Sequence, residues 1–245
     1  MISVKNSNIG NNKNCYGSIK LISSSLNFFK KKESDVYNDG VDLINGVVRD
    51  LHSFVINKCN DFTTIENAII DKLDFFYELN AEISIGIEHH IKQINKKVKY
   101  ILKQIEKNKN EEFVNNVRGL LTESVACSFI GDVNYQSEST LIWDCVFYKG
   151  NQLLKYIDSN GNQVKSVDIF CNSNDVSLYE CKTRPYFKVS QFYFMNYLKN
   201  QYSLENKTAD LFTFILQYEQ HPSFQKEVAK IPSYFSIVTI ENIKS

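Results

Sequence analysis

The sequence predicts an α/β protein, a mixed sheet layered with helices and preceded by a helical region. Three observations carry that reading. Residues 41–110 repeat apolar side chains at three- and four-residue steps, the period of a helix. Residues 141–183 fall into short runs rich in β-branched and aromatic residues, separated by Gly and Asn turns, as strands in a meander are. The last half of the chain then reads helix, antiparallel strands, helix, strand, the order of an α/β layer structure.

Composition bounds the function. A chain of 245 residues holds one large domain, or a small one with an appendage. Hydrophobic residues at 43% and charged residues at 23% supply a core and exclude wholesale disorder. The 28 basic residues balance 28 acidic ones. A polycationic coat for nucleic acid is thereby excluded, and any attraction for phosphate must be local. The six cysteines (Cys15, Cys59, Cys127, Cys145, Cys171 and Cys181) have neither CxxC nor zinc-knuckle spacing and read as reduced thiols. Residues 1–20 are polar and lack the apolar core of a signal peptide. No window approaches about 18 continuous apolar residues. A cytoplasmic protein with no membrane span is expected.

Residues 1–40 are dominated by Asn, Ser and Lys. They are expected to be loosely structured, with a short strand near 19–23 and with Leu26, Phe28 and Phe29 docking on a core. A first helix is predicted over 41–58. Thr63-Thr64-Ile65-Glu66 reads as a capping box opening the next helix. Leu73, Phe76, Asn80, Ile83 and Ile87, followed by Ile91, Ile94, Val98, Ile101 and Ile105, form a narrow seam of coiled-coil type. Gly86 is the expected break between two helices. Seven lysines and one glutamate between Lys92 and Lys109 would line a DNA groove or a solvated face. The region 41–110 is therefore expected to serve dimerisation, a partner protein or DNA contact.

From 111 the pattern changes. A helix over 111–130 is followed by strand candidates at 141–148, 153–157, 164–171 and 176–183. A helix at 189–202 and strands at 209–218 and 234–243 complete the chain. The expected organisation is 1–40, then 41–110, then a domain over 111–245.

One hairpin concentrates the chemistry. Strand side chains alternate faces, so Glu180 and Lys182 share a face. If Ser173-Asn174-Asp175 is a three-residue loop, Asn172 pairs with Val176. The same register sets Asp168 opposite Glu180, with Cβ atoms about 4.5–5.5 Å apart. Two adjacent carboxylates repel, and one is pushed towards protonation. A hard divalent cation relieves that repulsion. Mg²⁺ takes oxygen ligands, usually one or two carboxylates, and a lysine within reach of its water suits in-line attack on phosphorus. The plainer alternative is a salt-bridged cluster on a solvated face. Asp144, beside Trp143, reads more simply as an edge-strand aspartate than as a further ligand. Asp158 and Asp175 read as turn residues. His89 and His90 are adjacent on a helix and point apart. Tyr186, Phe192, Tyr193, Phe194 and Tyr197 read as core residues rather than base-stacking platforms.

Val167-Asp168, eleven residues, then Glu180-Cys181-Lys182 resembles the signature of the PD-(D/E)XK, or restriction-endonuclease-like, nuclease superfamily. Arg118-Gly119-Leu120-Leu121-Thr122-Glu123 resembles that superfamily's helix glutamate, and the element order over roughly 111–220 resembles its core. Val167 stands where the signature has Pro. The resemblance implies that Asp168, Glu180 and the Cys181 backbone carbonyl bind Mg²⁺, with Mn²⁺ able to substitute. It implies that Lys182 positions or activates water, and that Glu123 supports the metal directly or through water. Gln191 opens the next helix, where relatives sometimes place a polar active-site residue. Arg184, Lys188 and Lys199 are candidates for holding a phosphate backbone. The expected function is a Mg²⁺-dependent DNA endonuclease, of the kind used in restriction or another prokaryotic defence. The alternatives are an RNA-cleaving enzyme, a non-catalytic nucleic-acid-binding or assembly module on the same fold, and a helical interaction protein.

Overall fold

The computed structural model describes residues 1–6, 13–131, 140–172, 175–222 and 224–244. In chain order the elements are β1 (Ile2–Asn6), α1 (Lys13–Lys32), α2 (Ser34–Ile56), α3 (Phe62–Asn80), α4 (Ile85–Asn108), α5 (Glu111–Ile130), β2 (Thr140–Lys149), β3 (Gln152–Leu153), β4 (Tyr156–Ile157), β5 (Gln163–Val164), β6 (Ser166–Asn172), β7 (Val176–Lys182), α6 (Val189–Ser203), β8 (Ala209–Ile215), α7 (Phe224–Val228), β9 (Ser236–Val238) and α8 (Ile240–Ile243). The α/β class is as expected. The chain divides into two compact units. One comprises Met1–Ile9 and Val133–Ile240, the other Gly10–Asp132 and Glu241–Ser245.

In the helical unit, α1 packs on α2, α4 and α5, and α2 packs on α3 and α5. The expectation of a loose segment over 1–40 is overturned. Cys15, Ile19, Ile22, Leu26 and Phe29 are buried in α1 at alternating four- and three-residue steps, the stripe of an amphipathic helix. Polar residues between them hide that period from composition. The strand expected at 19–23 is part of this helix. The second helix begins at Ser34, seven residues before position 41. The cap of α3 is Asp61, whose carboxylate accepts from the Thr64 N–H at 3.3 Å. It displaces the expected capping box because it stands one residue before the first helical position. The break in the apolar seam falls at 81–84, where Ser84 caps α4 by accepting from the Ile87 N–H. Gly86 lies inside the first turn of α4, where an added Cβ would sit 3.4 Å from the Phe28 ring.

The seam itself is internal. Ile87, Ile91, Ile94, Val98, Ile101 and Ile105 are buried in α4, and α4 packs on α1 and α3. Ser25 of α1 lies 3.1 Å from His90 Nδ1, and Phe28 stacks on the same ring at 4.1 Å. The α4 part of the seam is therefore covered by its own chain. The helix α5, expected with the strands, groups with the helices instead. Val114, Val117, Leu121 and Val125 are buried. Arg118 Nε donates to the Val48 carbonyl at 3.3 Å, and Asn27 donates to the Ser128 carbonyl at 3.2 Å.

The other unit is built on a sheet of order β1-β2-β6-β7-β8-β9, with β3 paired to β2. The pairs β1/β2, β2/β6 and β6/β7 are antiparallel, while β7/β8 and β8/β9 are parallel. A parallel neighbour requires a crossover, and α6 supplies it between β7 and β8. Phe192, Phe194, Met195, Leu198 and Tyr202 of α6 join Phe170, Val176, Leu178, Leu211 and Ile215 of the sheet in one core. The strand expected at 153–157 divides into β3 and β4. The latter forms a separate two-stranded ribbon with β5, so β2 pairs directly with β6. Only Ser236–Val238 of the last expected strand is extended before α8 begins. No described helix is long and apolar enough to cross a membrane.

Candidate active site

The β6/β7 hairpin carries the pairing expected of it. Asn172 pairs with Val176, and the ladder runs through Cys171/Ser177 and Phe170/Leu178 to Ile169/Tyr179. Ser173 and Asn174 of its loop lie outside the described residues. One further step sets Asp168 against Glu180, and there the side chain enters the ladder. Asp168 Oδ2 accepts from the Cys181 backbone N–H at 2.7 Å. On its other side β7 serves β8, where the Lys182 carbonyl accepts from the Leu216 N–H at 2.9 Å. The backbone groups of Cys181 therefore face Asp168 rather than β8, because bonding directions alternate along a strand.

Glu180 is buried, with 3% of its surface exposed. One of its oxygens is hydrogen-bonded by the Lys182 ammonium. The other accepts from the Gln191 side-chain amide at 2.6 Å, and the same amide nitrogen reaches the Ser166 carbonyl at 3.1 Å. Gln191 can do this because α6 packs over the hairpin. Asp168 and Lys182 are half-buried. The structure thus brings Asp168, Glu180, Lys182 and Gln191 together.

The electrostatics follow from burial. Desolvation pushes Glu180 up from its usual 4.5 to about 7; the Asp168 charge adds to the rise, while Lys182 and Gln191 oppose it. Asp168 is raised for the same reason, against the pull of Lys182 and the Cys181 N–H. Burial by itself would lower Lys182, but Glu180 and Asp168 outweigh it, and the ammonium holds its proton more tightly than usual. In this state Lys182 is a fixed cation.

Two further residues lie at the site: Asp144, read from the sequence as an edge-strand aspartate although β2 is flanked on both sides by β1 and β6, and Thr213, which sequence reading passed over. Asp144 of β2 stands opposite Asp168 in the register that pairs Trp143 with Ile169 and Cys145 with Val167, and its charge raises Asp168. Its φ is +47°, a left-handed conformation that Asp tolerates better than most residues. Only the pairing of β2 with β6, remote in sequence, could have revealed this. Thr213 of β8 pairs with Glu180 across the parallel ladder, strands there lying about 4.8 Å apart. Its hydroxyl is buried without a hydrogen-bond partner among the described residues.

The remaining candidates lie outside the hairpin. Glu123 is half-buried on α5, in the helical unit. Arg184 and Lys188 are exposed on the loop after β7. Lys199 lies eight residues beyond Gln191 on α6, about 12 Å along the helix axis. Asp158 behaves as a turn residue, accepting from the Asn160 and Asn162 N–H groups at 2.9 Å.

The donor set suits a hard cation. Asp168, Glu180 and the Cys181 backbone offer oxygen, and Mg²⁺ commonly takes no more than one or two carboxylates. The partnerless Thr213 hydroxyl beside Glu180 is a further oxygen able to bond a hydrated ion. No cluster of three or more His, Cys, Asp or Glu side chains arranged for a metal occurs among the described residues. This site would therefore hold its ion through few carboxylates. Compared with protein-family models and with curated proteins, the chain matches none.

Proposed function

We propose that the protein is a divalent-metal-dependent nuclease, with DNA as its substrate and Asp168, Glu180 and Lys182 as its catalytic residues. The observation that carries the reading is the convergence of two pKa-raised carboxylates and a protonated lysine on one end of a hairpin, with Gln191 fixing one of the carboxylates. Perturbed titratable groups gathered in this way are characteristic of reactive sites. The order of β2, β6, β7, α6 and β8, three antiparallel strands, a crossover helix and a parallel strand, supports a restriction-endonuclease-like core.

Asp168, Glu180 and the Cys181 carbonyl would hold the ion. Mg²⁺, when bound, supplies Lewis-acid activation of water and neutralises charge on the phosphate. The protein's residues do the rest. The Cys181 N–H aims the Asp168 carboxylate, and the Gln191 amide aims that of Glu180. Ion binding would free the Lys182 ammonium from Glu180 to meet a phosphate oxygen or orient water. Asp144 adds negative charge beside Asp168 that favours a cation. Glu123 enters as a candidate from the sequence resemblance alone.

The test is supercoiled plasmid with Mg²⁺ or Mn²⁺, wild type beside Asp168→Ala and Lys182→Ala, with EDTA as control. Cleavage by wild type, lost in both variants and in EDTA, is the expected result. Equal cleavage by both variants would end the assignment of the site. Absence of cleavage on plasmid, linear DNA, single strands and RNA would favour a binding module.

A further inference from the structure

The exposed face of α4 carries charge of one sign. Lys92, Lys96, Lys99, Lys103 and Lys107 follow one another at steps of four, three, four and four residues, and all five are exposed. At the helical period these steps keep the five residues within about 80° of one another around the axis, in a row about 22 Å long. The other side of α4 is fixed. Ile91, Ile94, Val98, Ile101 and Ile105 are buried, and the helix packs on α1 and α3. The row therefore stands on a backbone that is held in place.

Little of this charge is answered within the chain. Lys92 pairs with Glu88 at 2.6 Å, and Lys99 reaches Asp74 of α3 at 3.8 Å. The second contact is long and joins two exposed groups, which makes it weak. Lys96, Lys103 and Lys107 form no ion pair among the described residues. Glu106, the one acid of α4 besides Glu88, pairs with none of them. A helix face meant only for water gains by alternating its charges, because opposite charges three or four residues apart attract. Here every successive pair in the row is alike and repels. Composition does not force this, since 28 basic residues balance 28 acidic ones over the whole chain.

We infer that this lysine row is a docking surface for the phosphate backbone of duplex DNA. Its occupant is the substrate class of the nuclease reading, but none of its residues belongs to the Glu180 site, and the binding stands on the row alone. Lysines about 4.5–6 Å apart along a straight axis match a polymer whose charge repeats without interruption. Bound phosphates remove the repulsion among the lysines and release counterions to solvent. Such contacts hold a duplex in place without reading its sequence. Tyr100, 37% exposed, is the one tyrosine, phenylalanine or tryptophan of α4. A single ring does not make the series of stacking platforms that unpaired bases require. A helix lying on a membrane buries its apolar face in lipid, and that of α4 is already covered by its own chain.

The experiment is fluorescence anisotropy of a labelled DNA duplex across a salt series, with the full chain in EDTA so that no cleavage intervenes. A single strand of equal charge, the same duplex in RNA, and phosphatidylserine vesicles are the comparison ligands. The row variant is Lys96→Gln with Lys103→Gln and Lys107→Gln. The control is Lys155→Gln with Lys165→Gln and Lys207→Gln, exposed lysines of the sheet unit whose loss changes net charge equally. The row variant should bind the duplex about tenfold or more weakly and lower the slope of log Kd against log salt by about 2–3. The control should bind as wild type does. Relieved of repulsion, the row variant should melt at or above the wild-type temperature. Wild-type affinity in the row variant, or an equal loss in the control, would overturn the docking surface. Tighter binding of the single strand would overturn its assignment to a duplex, and tighter binding of duplex RNA its assignment to DNA. Binding of vesicles with no binding of DNA would replace nucleic acid by a membrane surface. Absence of plasmid cleavage with these binding results intact would reject the nuclease and leave the row standing. Cleavage with an unaffected row variant would do the reverse.

Discussion

Replacing Glu180 by Gln should remove a pH dependence that the site imposes on folding. Glu180 titrates at about 7 in the folded protein against 4.5 ordinarily. The folded state therefore binds a proton more tightly than the unfolded chain. Its contribution is greatest below about pH 4.5, declines between about 4.5 and 7, and is fully lost above. At about 1.4 kcal/mol per pH unit, ionised Glu180 costs the folded state about 3 kcal/mol. Asp168, also raised, contributes with the same sign from its own ordinary value upward. Asp61, Glu88, Asp158 and Glu205 are held below their ordinary values by hydrogen bonds. Their stabilisation is present above those values and lost only at more acid pH. His90 is lowered by burial, so it works in the opposite direction near its usual value, but it belongs to the helical unit. The assay separates the units. Trp143 is the only tryptophan and is buried in β2, so its fluorescence reports the sheet unit during urea unfolding in EDTA. Wild type should be less stable at about pH 8 than at about pH 5 by about 2–3 kcal/mol, and Glu180→Gln should lose most of that difference. Equal pH dependence in the two proteins would refute the argument that Glu180 is a buried, strained carboxylate.

The remaining predictions concern its neighbours and the helical unit. Gln191→Ala removes the donor to Glu180 and to the Ser166 carbonyl; a loss of about 1–3 kcal/mol in urea unfolding is expected, and an unchanged midpoint would show that the amide holds nothing. Asp144→Asn keeps a residue tolerant of positive φ while removing repulsion on Asp168; calorimetry should show weaker Mg²⁺ binding with metal-free stability unchanged or raised, and unaltered Mg²⁺ affinity would remove Asp144 from the site. Mg²⁺ affinity of the wild type should fall as pH drops below about 7, since binding requires ionised Glu180; pH-independent binding would place the ion elsewhere. Gly40→Ala would set a Cβ 2.7 Å from Leu26 Cδ2, inside a buried contact between α1 and α2, and should cost about 1–3 kcal/mol by thermal or urea unfolding.

The sequence by itself determined the local features. The hairpin register was legible because two strands joined by a short loop pair by counting, and the period-two alternation puts Glu180 and Lys182 on one face. The helix α6 was legible from length and pattern, and its first turn delivers Gln191. Local pattern was weaker where polar residues interrupt it, so that α1, with an unbroken apolar stripe from Cys15 to Phe29, read as loose chain. Tertiary structure decided whatever depends on partners distant in sequence. Asp144 reaches Asp168 only because β2 pairs with β6 across the small β4/β5 ribbon, and Thr213 reaches Glu180 only because α6 returns the chain as a parallel strand. The seam from Leu73 to Ile105 carries the same apolar period whether it faces a second molecule or its own chain. The packing of α1 on α4 chose the latter. Hydrophobic burial is non-directional, so a sequence states that a face must be covered, and only the fold states by what.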